Sequence, residues 1–401
     1  MRDWAVLDPA LEPIIDKVLA GRRLSVEDGL VLYRSPDLLT VGRLADLVNR
    51  RLNGDYAYFI ENMYINPTNV CEASCAFCGF KRKPGEEGAY TMMPEDVLQY
   101  VRERMNPNIR EFHIVGGHNP LVPFDYYVDI VRTLKTHYPS VTIKAYTAAE
   151  IVFFSKLSGR PVEDVLKILI DAGLETLPGG GAEILSERYR RKMSPDKATV
   201  DEWLSVHRTA HRLGLKTHAT MLYGSPIETL EERLEHMRLI RELQDETGGF
   251  LVFIPLAMQP RSVTAGIKKR TSAFDDLRTI AVARLMLDNV PHIKSYWINI
   301  GTQLAQLSLT FGASDLHGTL VEERISHAVG ALTQTALTRD ELVWLIQGAG
   351  KIPVERDTFY NVIRIYGPDG PSASNRPAPS SPEPVESQGP AASASSARRM
   401  A

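Results

Sequence analysis

Residues 57–78 read AYFIENMYINPTNVCEASCAFC, a β-type run followed by a short loop that carries three cysteines. The aromatic and aliphatic residues between Ala57 and Ile65 suit a strand. Cys71, Cys75 and Cys78 are separated by three and then two residues, and the chain has no other cysteine. An odd, clustered set cannot build a disulfide framework. Three thiolates on one loop can each hold one iron of a cubane, leaving the fourth iron without a protein ligand. Two alternatives stay open on spacing alone. A structural zinc site could take three cysteines and a histidine, although such ligands usually come as separated pairs, and no histidine lies within 30 residues of the loop. A redox-sensing thiol cluster is the other.

On either side of this stretch the patterning differs. Residues 1–56 read as helices: Asp8-Pro9 opens one, Ser25 to Asp28 forms a capping box for the next, and a third runs to Asn53-Gly54. From Ala57 onward, short β-type runs alternate with helical ones. The predicted strands are 57–65, 111–115, 141–146, 175–177, 216–222, 250–256 and 293–298. Thr199–Glu202 and Thr229–Glu232 are capping boxes for two of the intervening helices. Repeated βα units predict an α/β fold, a (β/α) TIM-type barrel, complete or partial, with a doubly wound open sheet as the alternative. The expected division is an N-terminal helical segment at 1–56, a core barrel at 57–290 and a part completing the barrel at 291–366. Residues 367–401 are rich in Pro, Ser and Ala, bury little apolar surface and are expected to be disordered.

Bulk properties narrow the partners. A net charge of −3 offers no electrostatic basis for nucleic acid or an anionic membrane surface. No apolar run reaches the roughly 18–20 residues of a membrane span. The N-terminus, MRDWAVLDPALEP, has acids where a signal peptide is apolar, so the expected compartment is the cytoplasm.

In a parallel barrel the active site lies at the C-terminal ends of the strands, and those ends carry the remaining candidates. The second strand ends in Gly116-Gly117-His118, where adjacent glycines admit a ligand to the backbone or simply make a tight turn. The third leads to Glu150 and the fourth, through three glycines, to Glu183; each acid suits ribose hydroxyls or substrate, or a helix first turn. Lys197 precedes a capped helix N-terminus, suiting a carboxylate ligand, with a solvated surface lysine as the plainer reading.

The cysteine spacing, with Phe77 before the last cysteine, resembles the signature of the radical S-adenosylmethionine (SAM) superfamily. Further segments, YINPTNVC (64–71), HIVGG (113–117), LPGGGAE (177–183), ATMLYG (219–224) and LQDETGGF (243–250), resemble the futalosine-pathway enzymes of menaquinone biosynthesis. FIPL (253–256), HIKSYW (292–297) and PVERDT (353–358) are most similar to the aminofutalosine synthase family. The resemblance implies a [4Fe–4S] cluster on Cys71, Cys75 and Cys78, with SAM as co-substrate near Phe77, Gly116, Gly117, Glu183 and Lys197. It implies substrate contacts at Asn69, His118, Glu150 and Tyr223. The reaction it implies adds the 5′-deoxyadenosyl radical to the enol ether of 3-[(1-carboxyvinyl)oxy]benzoate. The adduct then attacks its own ring, rearranges and loses the carboxyl carbon, giving 6-amino-6-deoxyfutalosine. A flavodoxin- or ferredoxin-type reductant is implied as partner. Ser225-Pro226 stands where the family usually has a single histidine, and no role is carried over for that residue. The alternatives are a dehypoxanthine futalosine cyclase, a deazaflavin-forming subunit and, in another class, a non-catalytic iron–sulfur sensor, which would need a fully ligated cluster.

Overall fold

The computed structural model describes residues 5–259, 270–321, 323–367 and 370–372. Its strands, in chain order, are β1 (Tyr56–Ile60), β2 (Asn62–Ile65), β3 (Glu111–Ile114), β4 (Thr142–Ala145), β5 (Thr176–Leu177) and β6 (Lys216–Tyr223). They continue with β7 (Phe250–Ala257), β8 (His292–Ile293), β9 (Asp315–Gly318), β10 (Ile352–Arg356), β11 (Val362–Gly367) and β12 (Gly370–Ser372). β2 to β8 form one seven-stranded sheet in sequence order, every pair parallel. Beyond Ile293 the pairing passes to β9: Lys294 bridges Asp315, the Ser295 N–H donates to the Asp315 carbonyl at 2.8 Å and the Ser314 N–H to that of Ile293 at 2.9 Å. β9 pairs in parallel with β1, which runs into β2 across Glu61. Parallel pairing thus returns to its start, and the barrel closes.

Helices cover the outside of this sheet, so outward-facing strand residues are apolar and buried. The capping boxes at Thr199 and Thr229 form as expected, each hydroxyl accepting from a backbone N–H three residues on. The N-terminal helices Val26–Arg34 and Leu38–Asn53 pack against the barrel helices Leu230–Thr247 and Ala273–Met286. Outside the barrel, β10 extends β1 in parallel, and β11 and β12 follow antiparallel.

Three expected elements differ. The strand expected at 57–65 is two strands, because β1 serves β9 and β10 whereas β2 serves β3. Between them the buried Glu61 turns to Arg339, 2.9 Å away. The run expected at 293–298 leaves the sheet early, since Trp297 begins a short helix, Trp297–Ile300, with its buried indole N–H on the Gly318 carbonyl at 3.1 Å. Of the expected tail at 367–401, Gly367 ends β11 and Gly370–Ser372 pair with that strand, while 368–369 and 373–401 lie outside the described residues.

Candidate active site

The loop after β2 carries the three cysteines and is tied down on every side. Backbone pairing joins Cys71 to Arg82 and Glu72 to His118, both at 2.9 Å, and the Ala76 N–H donates to the Met193 carbonyl at 2.8 Å. The Ser74 N–H reaches Asp196 at 2.9 Å. Lys81 and Lys83 donate to loop carbonyls, Lys81 to Cys75 at 2.8 Å and Lys83 to Glu72 at 2.7 Å. The three thiols face a cavity of about 300 Å³ at the C-terminal mouth of the barrel. Burial pushes the Cys71 and Cys75 thiols up, while the Lys197 ammonium pulls both down.

Gly116 and Gly117 form the adjoining wall. A Cβ on Gly117 would stand 2.1 Å from the Val70 carbonyl oxygen, so only glycine lets β3 approach the cysteine loop this closely. The backbone N–H of His118 donates to Cys71 Sγ at 3.3 Å. Glu150 is buried and holds the wall in place, accepting from the Gly116 N–H at 3.1 Å and the Thr147 N–H at 2.7 Å. Burial raises its carboxyl to about 6 against the pull of those N–H groups.

Opposite stand Glu183 and Lys197, paired at 2.7 Å with side chains 8 % and 17 % exposed. Lys197 also lies over the Phe77 ring, 5.6 Å from its centre. Burial lowers its basicity, but Cys75 and Glu183 outweigh this and carry it above the ordinary lysine range. Glu183 holds a left-handed backbone, φ 49°, uncommon for a residue with a side chain and found where function requires a fixed direction. Arg190 fixes that turn: its buried guanidinium donates to the carbonyls of Gly181 at 3.2 Å and Ala182 at 2.7 Å, and to that of Ala198. The sequence reading missed Arg190, whose charge-rich helix, Glu187–Met193, looks solvated.

Most expected site residues meet here: Cys71, Cys75, Phe77, Cys78, Gly116, Gly117, His118, Glu150, Glu183 and Lys197 all line the cavity. Two do not. Asn69 is turned into its own loop, donating to the Gly88 carbonyl at 2.9 Å and accepting from the Tyr90 N–H at 2.8 Å. Tyr223 is buried, its hydroxyl donating to Asp276 of the helix Ala273–Met286 at 2.7 Å. Neither side chain lines the cavity. Ser225-Pro226 also stands off the cavity: Glu228 accepts from the N–H groups of Gly224 at 2.6 Å and Ser225 at 2.9 Å and closes that turn on itself.

Among the described residues no three His, Cys, Asp or Glu side chains converge as ligands of one metal ion would. A cubane asks for less convergence, because each thiolate takes a different iron. The donor set therefore fits a [4Fe–4S] cluster better than zinc.

Residues 65–240 match the radical SAM superfamily, and residues 247–367 match the CofH/MqnC C-terminal region. An aminodeoxyfutalosine synthase of Thermus thermophilus is 52 % identical over 90 % of this chain and 98 % of its own. The chain belongs to the radical SAM superfamily, in the aminodeoxyfutalosine synthase family. A cyclic dehypoxanthine futalosine synthase of Halalkalibacterium halodurans is 34 % identical over 89 % of this chain and 96 % of its own. The methylornithine synthase crystal structure matches with a TM-score of 0.67 at 18 % identity, covering 84 % of this chain and 96 % of that one; it supports the barrel fold alone. Radical SAM enzymes use a [4Fe–4S] cluster and SAM, in agreement with the donor set above. Among the described residues no helix is long and apolar enough to cross a membrane.

Proposed function

We propose that the chain is an aminodeoxyfutalosine synthase, joining the 5′-deoxyadenosyl group of SAM to 3-[(1-carboxyvinyl)oxy]benzoate on the way to menaquinone. The carrying observation is its identity to the Thermus synthase, well above that to the cyclase. Cys71, Cys75 and Cys78 would hold the cluster. When bound, the cluster supplies the electron that divides SAM into methionine and the 5′-deoxyadenosyl group. The protein's own residues bind, orient and exclude water. The Gly116-Gly117 backbone, packed against the cysteine loop and lining the cavity, would face the methionyl end of SAM. Leu222, Ile254 and Leu256 give the cavity an apolar wall that keeps water from a reactive carbon. A flavodoxin- or ferredoxin-type carrier in the cytoplasm is the reductant in this reading, with the exposed Lys83 beside the cysteine loop offering charge to an acidic protein.

The test is an anaerobic assay of the reconstituted protein with SAM, dithionite and the enol-ether benzoate. Adenine should appear in a benzoate-bearing nucleoside, one per methionine released. Stoichiometric free 5′-deoxyadenosine, with no such nucleoside, would transfer the chain to the cyclase reading.

Glu183 and Lys197 are proposed on the SAM side. A solvated surface lysine is the plainer reading of the sequence at Lys197, but here it is buried in an ion pair. Lys197→Met leaves the Glu183 carboxylate buried and unpaired, so it should weaken SAM binding at least as much as Glu183→Gln. The expected loss is roughly 10- to 150-fold, the effect of a lost hydrogen bond to a charged group. Anaerobic titration with SAM, read by calorimetry and by the EPR spectrum of the reduced cluster, measures it. Unchanged SAM affinity in both variants would confine the pair to shaping the loop.

A further inference from the structure

Below the cysteine loop the barrel interior is polar, which is unusual for a layer normally filled by branched aliphatic side chains. Tyr64, His113 and Lys144 stand side by side in register on β2, β3 and β4, and all three line the inner part of the cavity together with His218 and His317. The Tyr64 and His113 rings stack at 4.2 Å, and the Tyr64 hydroxyl meets His317 Nε2 at 2.9 Å. Each histidine keeps one buried ring nitrogen without a partner: Nδ1 of His113, Nε2 of His218 and Nδ1 of His317. Three orphan ring nitrogens in one layer are costly unless a ligand satisfies them. His317 adds backbone strain, with φ 72° and its N–H fixed on Asp315 Oδ1 at 2.6 Å. Strain of this kind persists where a side chain must be held in one direction.

Charge in this layer is unbalanced. Glu111 pairs with Lys144, and Asp315 with Arg356. Lys294, 1 % exposed, has no carboxylate of its own; burial lowers its basicity to about 7, with Arg356 and Lys144 acting in the same direction against Asp315 and Glu111. An anion bound beside Lys294 favours its charged form; with Lys144 paired to Glu111 and Arg356 to Asp315, the layer then takes one more negative charge. Gln259 and Asn299, also on the cavity, have the opposite character: their amide N–H groups are used on the Ala257 carbonyl, both at 2.9 Å, so their unpartnered oxygens suit donors.

We propose that this inner layer, His113, His218 and His317 around Lys144, is the seat of the ring carboxylate of the benzoate substrate. The inference rests on the synthase reading and adds what that reading lacks, an anion site for the end of the substrate remote from the enol ether. The enol ether must lie towards the cysteine loop, where the 5′-deoxyadenosyl group arises, and the ring carboxylate then points inward. Burial holds all three imidazoles well below their ordinary range, so each is neutral and offers one N–H. The positive charge comes from the lysines.

Two compounds test it, 3-[(1-carboxyvinyl)oxy]benzoate and 2-phenoxyacrylate, which lacks only the ring carboxylate. Their dissociation constants are measured by anaerobic calorimetry on the holoenzyme with SAM and no reductant, so that nothing turns over. His218→Leu should weaken the benzoate about 10- to 100-fold and 2-phenoxyacrylate less than about threefold. His218→Gln, which keeps an N–H, should recover most of the loss. His317→Leu is the second variant, read in the same way, with melting temperatures checking that both fold. Equal losses on both compounds would overturn the carboxylate site and leave the synthase reading standing. Wild-type protein that binds neither compound would overturn both.

Discussion

Cys71→Ala, Cys75→Ala and Cys78→Ala should each reduce turnover to about a thousandth of wild type or below, since ligands acting as a unit fail together. Melting temperature should fall by only a few degrees. The three cysteines and Ala73 form a small satellite cluster that meets the main apolar core through Phe77, so losing one thiol leaves the barrel's packing intact. Bound iron, the visible absorption of the cluster and product formation are measured together on anaerobically reconstituted protein. A variant with full iron content and near-wild-type turnover would remove the cluster assignment. A variant that unfolds would show instead that the loop is part of the barrel's stability.

Gly117→Ala should be nearly as damaging although it removes no functional group. The added methyl would sit 2.1 Å from the Val70 carbonyl oxygen and 2.7 Å from its carbon, both backbone, one residue before Cys71. Backbone cannot swing aside like a long side chain, so the cysteine loop itself must move. Overpacking of this kind costs about 1–3 kcal/mol, and the displacement should also leave the reconstituted protein short of iron. Gly116→Ala is the control, because its methyl would meet the Thr68 carbonyl at 3.0 Å, a tight contact that a small shift relieves. Iron per chain and melting temperature should rank wild type, then Gly116→Ala, then Gly117→Ala. Equal values for the two variants would mean that the close approach of β3 to the loop does not position the cysteines.

The cysteine triplet and the succession of βα units were readable because both are local: ligand spacing lies within one loop, and each capping box spans four residues. Less local features escaped. The helix Ala148–Ser158 has no polar stripe across Ala148–Phe154, all of it buried, so its periodicity is nearly silent. Arg190 reads as part of a solvated helix until the fold places the Gly181 and Ala182 carbonyls against it. Asn69 and Tyr223 stand within family motifs, but membership of a motif does not say which way a side chain turns. The polar layer left a trace that could have been read. His113 and Lys144 stand at the third position of their strands between apolar neighbours, and His218 at the third position of its strand, between Thr217 and Ala219. In an exposed sheet such alternation means water on the polar side. In a barrel wrapped by helices, the polar side is the inside.

β1 has a consequence for how the chain is made. Its neighbours are β9 and β10, with Tyr58 opposite both Asp315 and Val354, while its direct continuation β2 finds β3 within some fifty residues. During synthesis at about 5–20 residues per second, the first strand off the ribosome therefore spends roughly 13–51 seconds with both edges unsatisfied. Unpaired strand edges are templates for association with other chains. The nascent protein is thus most exposed to misassembly in the interval before residue 315 emerges, and hosts with ample chaperone capacity should yield the most folded protein.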